Sequence, residues 1–192
     1  MNFSDKEEVG KLVKQCIKKD RKSQKFLYEH FYGKMIAVCM RYATDYNEAQ
    51  DILHEGFIKV FDKLKSFKNE GSFEGWIRRI IVNSAIDYVR IKKKLTFDSE
   101  EKSIIDNIKD EDEVLLEEEN LSKIKAELII ELIQELSPAY KTVFNLYVLE
   151  GYSHKQVAEA LSISEGTSKS NLAKAKQKLR ELFEKNLYRL ND

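Results

Sequence analysis

The chain has 192 residues, a single proline (Pro138) and seven glycines, with 42% hydrophobic and 34% charged residues. So few breakers beside so many Leu, Ile, Lys and Glu favour helices over a sheet, which needs turn residues roughly every 8–12 positions, and predict an all-α chain. Lysines plus arginines (33) balance aspartates plus glutamates (33), so overall charge does not select nucleic acid as a partner.

The first predicted helix follows Ser4, whose pairing with Glu7 has the form of a capping box, and carries Val9, Leu12, Val13, Cys16 and Ile17 at helical spacing. A second runs from about Ser23 to Thr44, with Leu27, Phe31, Met35, Val38, Cys39 and Tyr42 inward. Cys16 and Cys39 thus fall among apolar residues. With no signal peptide in the sequence, they are expected as buried, reduced thiols of a cytoplasmic protein. Asn47 with Gln50 resembles another cap, opening a helix with Ile52, Leu53, Phe57, Val60, Phe61 and Leu64 on its buried side. Residues 68–72 read as a loop, followed by an apolar stripe of Ile77, Ile80, Ile81, Ser84, Ala85, Tyr88 and Val89. Four helices in about 95 residues can enclose one core.

Periodicity then fades, and residues 98–119 hold eleven acids against Lys102 and Lys109. Too few apolar side chains remain there to offset ordering entropy, which predicts a flexible acidic linker over residues 96–121. Helices resume near Ser122 with Ile124, Leu128, Ile129, Leu132 and Ile133. Ser137 and Pro138 combine an N-cap with proline at the first helical position, and Gly151 stops that helix. Ser153 with Gln156 is another capping box, opening a short helix with Val157, Ala158 and Leu161. After the turn at residues 162–164, a long helix carries Leu172, Ala175, Leu179, Leu182 and Phe183 inward. The expected fold is all-α, with two small helical domains: residues 1–95 and 122–192.

Charge is segregated along this plan. Residues 76–95 hold six basic residues against Asp87, and residues 167–189 hold seven against Glu181 and Glu184. Both runs suit phosphate contact, with the acidic connector between them. No apolar run reaches the roughly 18 residues of a membrane span, so no membrane insertion is expected. His30, His54 and His154 share no ligand spacing with one another or with the cysteines. There is no glycine-rich phosphate loop and no nucleophile–base set. No catalytic residue, metal or cofactor is expected, and the chain is not expected to be an enzyme.

Residues 153–172 read SHKQVAEALSISEGTSKSNL, a helix-turn-helix. Ala158 is small enough for two helices to approach at a sharp turn, and Leu161, Ile163 and Leu172 fill the wedge between them. The second helix then projects so that it can enter a major groove, with Lys169, Ser170, Asn171, Lys174 and Lys178 on its outer side. Such side chains bond base edges or phosphates, which predicts DNA binding over an ordinary helix pair with a basic rim.

With this motif in place, the chain as a whole resembles the extracytoplasmic-function group of RNA polymerase sigma factors. The family's minus-35 domain reads approximately I-A-x-x-L-x-I-S-E-G-T-V-K-S-R-L-x-R-A-R-x-x-L. Here it stands as Val157-Ala158 through Leu161, then Ile163 to Lys176, closing at Leu179. Ser168 replaces the usual apolar residue, which is expected to weaken packing locally. Asn171 replaces the usual arginine, which is expected to alter phosphate contact or base preference there. Residues 48–61, EAQDILHEGFIKVF, resemble the family's polymerase-docking helix, and residues 72–90, SFEGWIRRIIVNSAIDYVR, its promoter-melting segment. Asn83 and Asp87 lie one turn apart with Arg79 before and Arg90 after, so an asparagine can pair with an exposed base while arginines hold the backbone. The loop at residues 67–73 is where a flipped base could lodge, although core packing is the expected role of Trp76.

The resemblance implies polymerase contact by Asp51, Ile52, Glu55, Phe57 and Phe61. It implies minus-10 DNA contact by Arg78, Arg79, Asn83, Asp87, Arg90, Lys92 and Lys93. It implies minus-35 contact by Thr167, Lys169, Ser170, Asn171, Lys174 and Lys178. The implied partners are core polymerase, through the β′ clamp helices and the β flap, and promoter DNA, with an anti-sigma factor as a further candidate; the linker would thread toward the RNA exit path. The alternative is a helix-turn-helix transcriptional regulator with a helical N-terminal sensory or protein-binding domain, or else a helical adaptor that binds only proteins. Residues 1–95 show neither a βα receiver nor a ligand pocket, and an adaptor would not need basic final helices in both domains.

Overall fold

The computed structural model describes residues 1–3, 5–96 and 131–186. Ser4, the expected linker beyond residue 96, the helix expected from residue 122 as far as residue 130, and the side chain of Lys93 lie outside the described residues. The chain divides into two units, Met1–Phe97 and Asp98–Asp192.

In the first unit the helices are α1 (Lys6–Ile17), α2 (Arg21–Met40), α3 (Tyr46–Lys63) and α4 (Phe73–Thr96), with a 3₁₀ turn at Leu64–Ser66. Aspartates cap the first three. Asp5 accepts from the Glu7 and Glu8 N–H groups, Asp20 from Ser23 and Asp45 from Glu48. Asp5 and Asp45 replace the caps expected at Ser4 and Asn47, and Asp20 caps the second helix, for which no cap was expected. A carboxylate accepts the orphan N–H bonds and also faces the positive end of the helix dipole, which favours it over a neighbouring hydroxyl or amide. The expected apolar stripes are buried apart from Ile17, Phe61, Tyr88 and Val89, which are half-buried, and Leu27, Phe31, Ile52, Leu53 and Ile81 are at most 1% exposed. Each contributes about 1.5–3 kcal/mol of burial. Val82 and Ile86 are buried as well, so α4 is enclosed over a wider arc than its predicted stripe.

α3 packs against both α2 and α4, which also touch each other. Gly56 permits the close approach to α4, because a Cβ there would lie 2.5 Å from Ile81 Cδ1. The loop before α4 is tied to α1 by Asn69, whose Nδ2 donates to the Lys6 carbonyl at 2.9 Å. Both cysteines are buried free thiols. Burial pushes Cys39 up to about 12 and, with the nearby charge of Asp20, Cys16 up to about 11.

In the second unit, a helical turn at residues 131–134 precedes α5 (Pro138–Phe144), which runs into a π turn at Asn145–Leu149. Pro138 opens α5, but the Ser137 side chain makes no cap hydrogen bond. Gly151, at φ 70°, provides the left-handed residue that ends this segment. α6 (His154–Leu161) starts with the expected box, in which Ser153 and Gln156 each accept the other's N–H. Ser162 at φ 55° makes the turn into α7 (Glu165–Asn186), where Ser164 Oγ accepts the Thr167 N–H at 2.9 Å. α7 packs against both α5 and α6, and Leu182 joins Leu132, Leu179 and Phe183 in a local core.

Candidate nucleic-acid and polymerase interfaces

At about 100° per residue, Arg79, Asn83, Asp87 and Arg90 fall on one stripe of α4. All four are exposed, and half-buried Trp76 lies at the start of the stripe. Trp76 is held against Phe67 (5.2 Å between ring centroids) and Phe73 (6.0 Å), which is itself buried. The stripe therefore begins at an aromatic cluster formed by Phe67 of the preceding loop with Phe73 and Trp76 of the first turn of α4. Asp87 pairs with Lys59 of α3 at 2.9 Å, the two side chains being 51% and 37% exposed. A pair so open to solvent contributes about 0–1 kcal/mol and yields readily to a competing ligand.

Arg78 and Lys92 do not share this face. Arg78 is half-buried on the flank. Lys92, roughly 180° from the stripe, turns inward to pair with Glu48 of α3 and reaches Thr44 Oγ1 at 3.4 Å. Burial pushes the Glu48 carboxyl up. The Lys92 ammonium outweighs it, together with the Thr44 N–H (2.9 Å) and the hydroxyls of Thr44 and Tyr88, and holds the group at about 2. Burial and then the Glu48 hydrogen bond push Tyr88 up to about 12. Lys92 thus braces α4 against α3, with its side chain still 43% exposed.

On α3, Asp51, Glu55, Ile58 and Asp62 recur at helical spacing, and all are exposed, as is His54. Ile52 and Phe57 are 1% and 2% exposed, so they support this ridge from beneath and do not present to a partner. Phe61 is half-buried, 6.1 Å from Phe57. Ile58, at 55% exposed, is the apolar group that sequence reasoning missed. Its signal was present: it is a large aliphatic residue out of phase with the buried stripe.

On α7, Thr167, Asn171, Lys174 and Lys178 share one flank, with Ser170 beside them. Lys178 approaches Glu181 at 3.5 Å, and Ser170 Oγ donates to the Thr167 carbonyl at 3.1 Å. Lys169 is turned about 160° from Asn171. It belongs to the opposite flank with Lys176 and Arg180, so it does not share a face with the other candidates. Ser168 is fully buried, and its Oγ lies 2.9 Å from Nδ1 of His154. The packing defect expected at this position is filled by a polar contact.

Both arrangements find counterparts in known proteins. A model of sigma-70 region 2 matches residues 27–95, and one of sigma-70, region 4 matches residues 126–179. The ECF RNA polymerase sigma-E factor of Haemophilus influenzae is 28% identical over 173 residues, spanning 86% of this chain and 90% of that protein. The RNA polymerase sigma-H factor of Pseudomonas aeruginosa is 24% identical, over 89% of this chain and 91% of its own length. The ECF RNA polymerase sigma factor SigW of Bacillus subtilis is 28% identical, over 90% of this chain and 95% of its own length. A helix-turn-helix regulator with a sensory domain would match in its second half alone. Two sigma regions in order, and relatives aligned along most of both chains, show that this chain belongs to the sigma-70 family as an RNA polymerase sigma factor of the extracytoplasmic-function group.

Proposed function

We propose that the two units divide promoter recognition between them. Residues 1–95 dock on core polymerase and open the minus-10 element, residues 122–192 read the minus-35 duplex, and residues 96–121 tether them. The observation that carries this reading is the single exposed stripe of Arg79, Asn83, Asp87 and Arg90 starting at the Phe67–Phe73–Trp76 cluster. An aromatic receiving surface followed by an amide and guanidinium groups suits an unstacked strand, in which bases are read singly while the backbone is neutralised. Asp87 can accept from a cytosine amino group once Lys59 is displaced. Lys93 adds charge at the end of this segment, whereas Arg78 and Lys92 serve the helix's own packing. On α7, Asn171, Thr167 and Ser170 read base edges, and Lys174 and Lys178 neutralise phosphate. Lys169 meets the backbone on the other flank.

The ridge of Asp51, Glu55, Ile58 and Asp62, rimmed by Phe61, is the surface offered to the β′ clamp helices, and the second unit lies by the β flap. The protein acts by binding core polymerase and promoter DNA; its place of work is the cytoplasm, with the polymerase. Among the described residues no helix is long and apolar enough to cross a membrane.

Transcription by the reconstituted holoenzyme tests the division. Asn83→Ala is expected to impair use of the minus-10 element and spare minus-35 preference. Asn171→Ala is expected to shift minus-35 preference, by about 1–3 kcal/mol for a lost base contact, and to spare a pre-melted minus-10 template. Both variants altering preference at the same element would refute the division.

A further inference from the structure

One contact joins three parts of the second unit through a single imidazole. His154, the first residue of α6, stacks on Tyr147 of the π turn with centroids 4.3 Å apart and planes 24° apart. Its Nδ1 lies 2.9 Å from Oγ of Ser168 in the first turn of α7. Ser168 is fully buried, so this hydroxyl meets its partner away from water. Thr167, next to it in sequence, and Asn171, three residues on, belong to the flank assigned to base reading.

An apolar side chain at position 168 would fill the same space with a contact that tolerates sliding and rotation. A hydrogen bond does not, because it weakens steeply away from its preferred distance and angle. Stacking on Tyr147 fixes the plane of the imidazole, so the direction in which Nδ1 faces Ser168 is set from outside both helices of the motif. Base-edge contacts are equally sensitive to small displacements of the helix that makes them.

We infer that His154 and Ser168 form a positioning pair that fixes how α7 is rotated and seated on α6, and that this pair sets how sharply the protein discriminates among minus-35 sequences. The inference rests on the reading of α7 as the minus-35 helix. Neither residue touches DNA in this account; both act through Thr167 and Asn171.

The test uses the full chain with core polymerase on a promoter pool randomised across the minus-35 block and constant elsewhere. Transcripts are counted by sequence for wild type, Ser168→Ala, His154→Phe, the double variant and His154→Asn. Phenylalanine keeps the stack and loses the hydrogen bond, whereas asparagine places an amide where Nδ1 was. Each of Ser168→Ala and His154→Phe is expected to reduce the preference for the best minus-35 sequences over their single-base variants by about two- to tenfold, the scale of one hydrogen bond. The double variant should be no worse than either single, because the two act as one unit. His154→Asn should recover most of what His154→Phe loses, which a general loss of packing would not allow. Far-UV circular dichroism should show unchanged helix content in every variant. Unchanged discrimination, an equal loss on all sequences, or additive losses in the double variant would overturn the pairing. No minus-35 preference in the wild-type protein would instead overturn the reading of α7 itself.

Discussion

Replacing Glu48 by glutamine removes one charge from the brace between α3 and α4 while keeping the shape and the acceptor for the Thr44 N–H. A carboxyl held at about 2 in place of 4.5 is linked to at most ~3 kcal/mol of stability at neutral pH. The Lys92 side chain is 43% exposed and that of Glu48 is 20% exposed, so solvent screening brings the expected loss to ~1–2 kcal/mol. Because the folded-state value is depressed, this stability is fully present above about pH 4.5 and is lost as pH falls toward about 2. The gap between wild type and Glu48→Gln should therefore be constant from pH 7 to about 5.5 and narrow steadily below about 4.5. Trp76 is the only tryptophan in the chain, so its fluorescence in urea follows the first unit alone. Equal midpoints at pH 7, or a gap as wide at pH 3 as at pH 7, would refute the brace.

Three further outcomes follow from the surfaces. Reversing Asp51 and Glu55 to arginine should weaken binding to core polymerase in a pull-down without changing helix content, and unchanged affinity would remove α3 from the interface. Ile58→Ala should weaken the same binding by ~1 kcal/mol with little effect on folding, since its side chain is already mostly exposed. Lys174→Ala should lower affinity for all minus-35 sequences alike and reduce the salt slope of holoenzyme–promoter binding by about one.

The helices and most of their buried faces were legible because apolar residues recur with the helical period in the described segments, with Ile58, Val82 and Ile86 as exceptions. Caps were legible only to within one or two positions. Ser4, Asn47 and their neighbours offer several acceptors in a row, and the sequence does not say which one turns toward the helix end. The helix-turn-helix could be read from Ser153 to Leu172, because its box, its small residue at Ala158 and its wedge are all local. The partner of Lys92 was not legible: this lysine belongs to a basic run, and its ion pair is with a glutamate 44 positions earlier, on another helix. Ile52 and Phe57 were assigned to docking because they belong to the family segment, while their phase places them in the core. His154 and Ser168 could not have been paired in advance. Their contact depends on the turn geometry at Ser162, and each residue alone has the look of an ordinary surface or packing position.

Run-off transcription with purified core polymerase on a library randomised at both promoter blocks, with and without this chain, bears most directly on the central claim. The account predicts discrete transcripts only when the chain is present, from templates that share one minus-35 and one minus-10 sequence. Core polymerase giving the same transcripts without the chain, or transcripts with no shared sequence in either block, would contradict it.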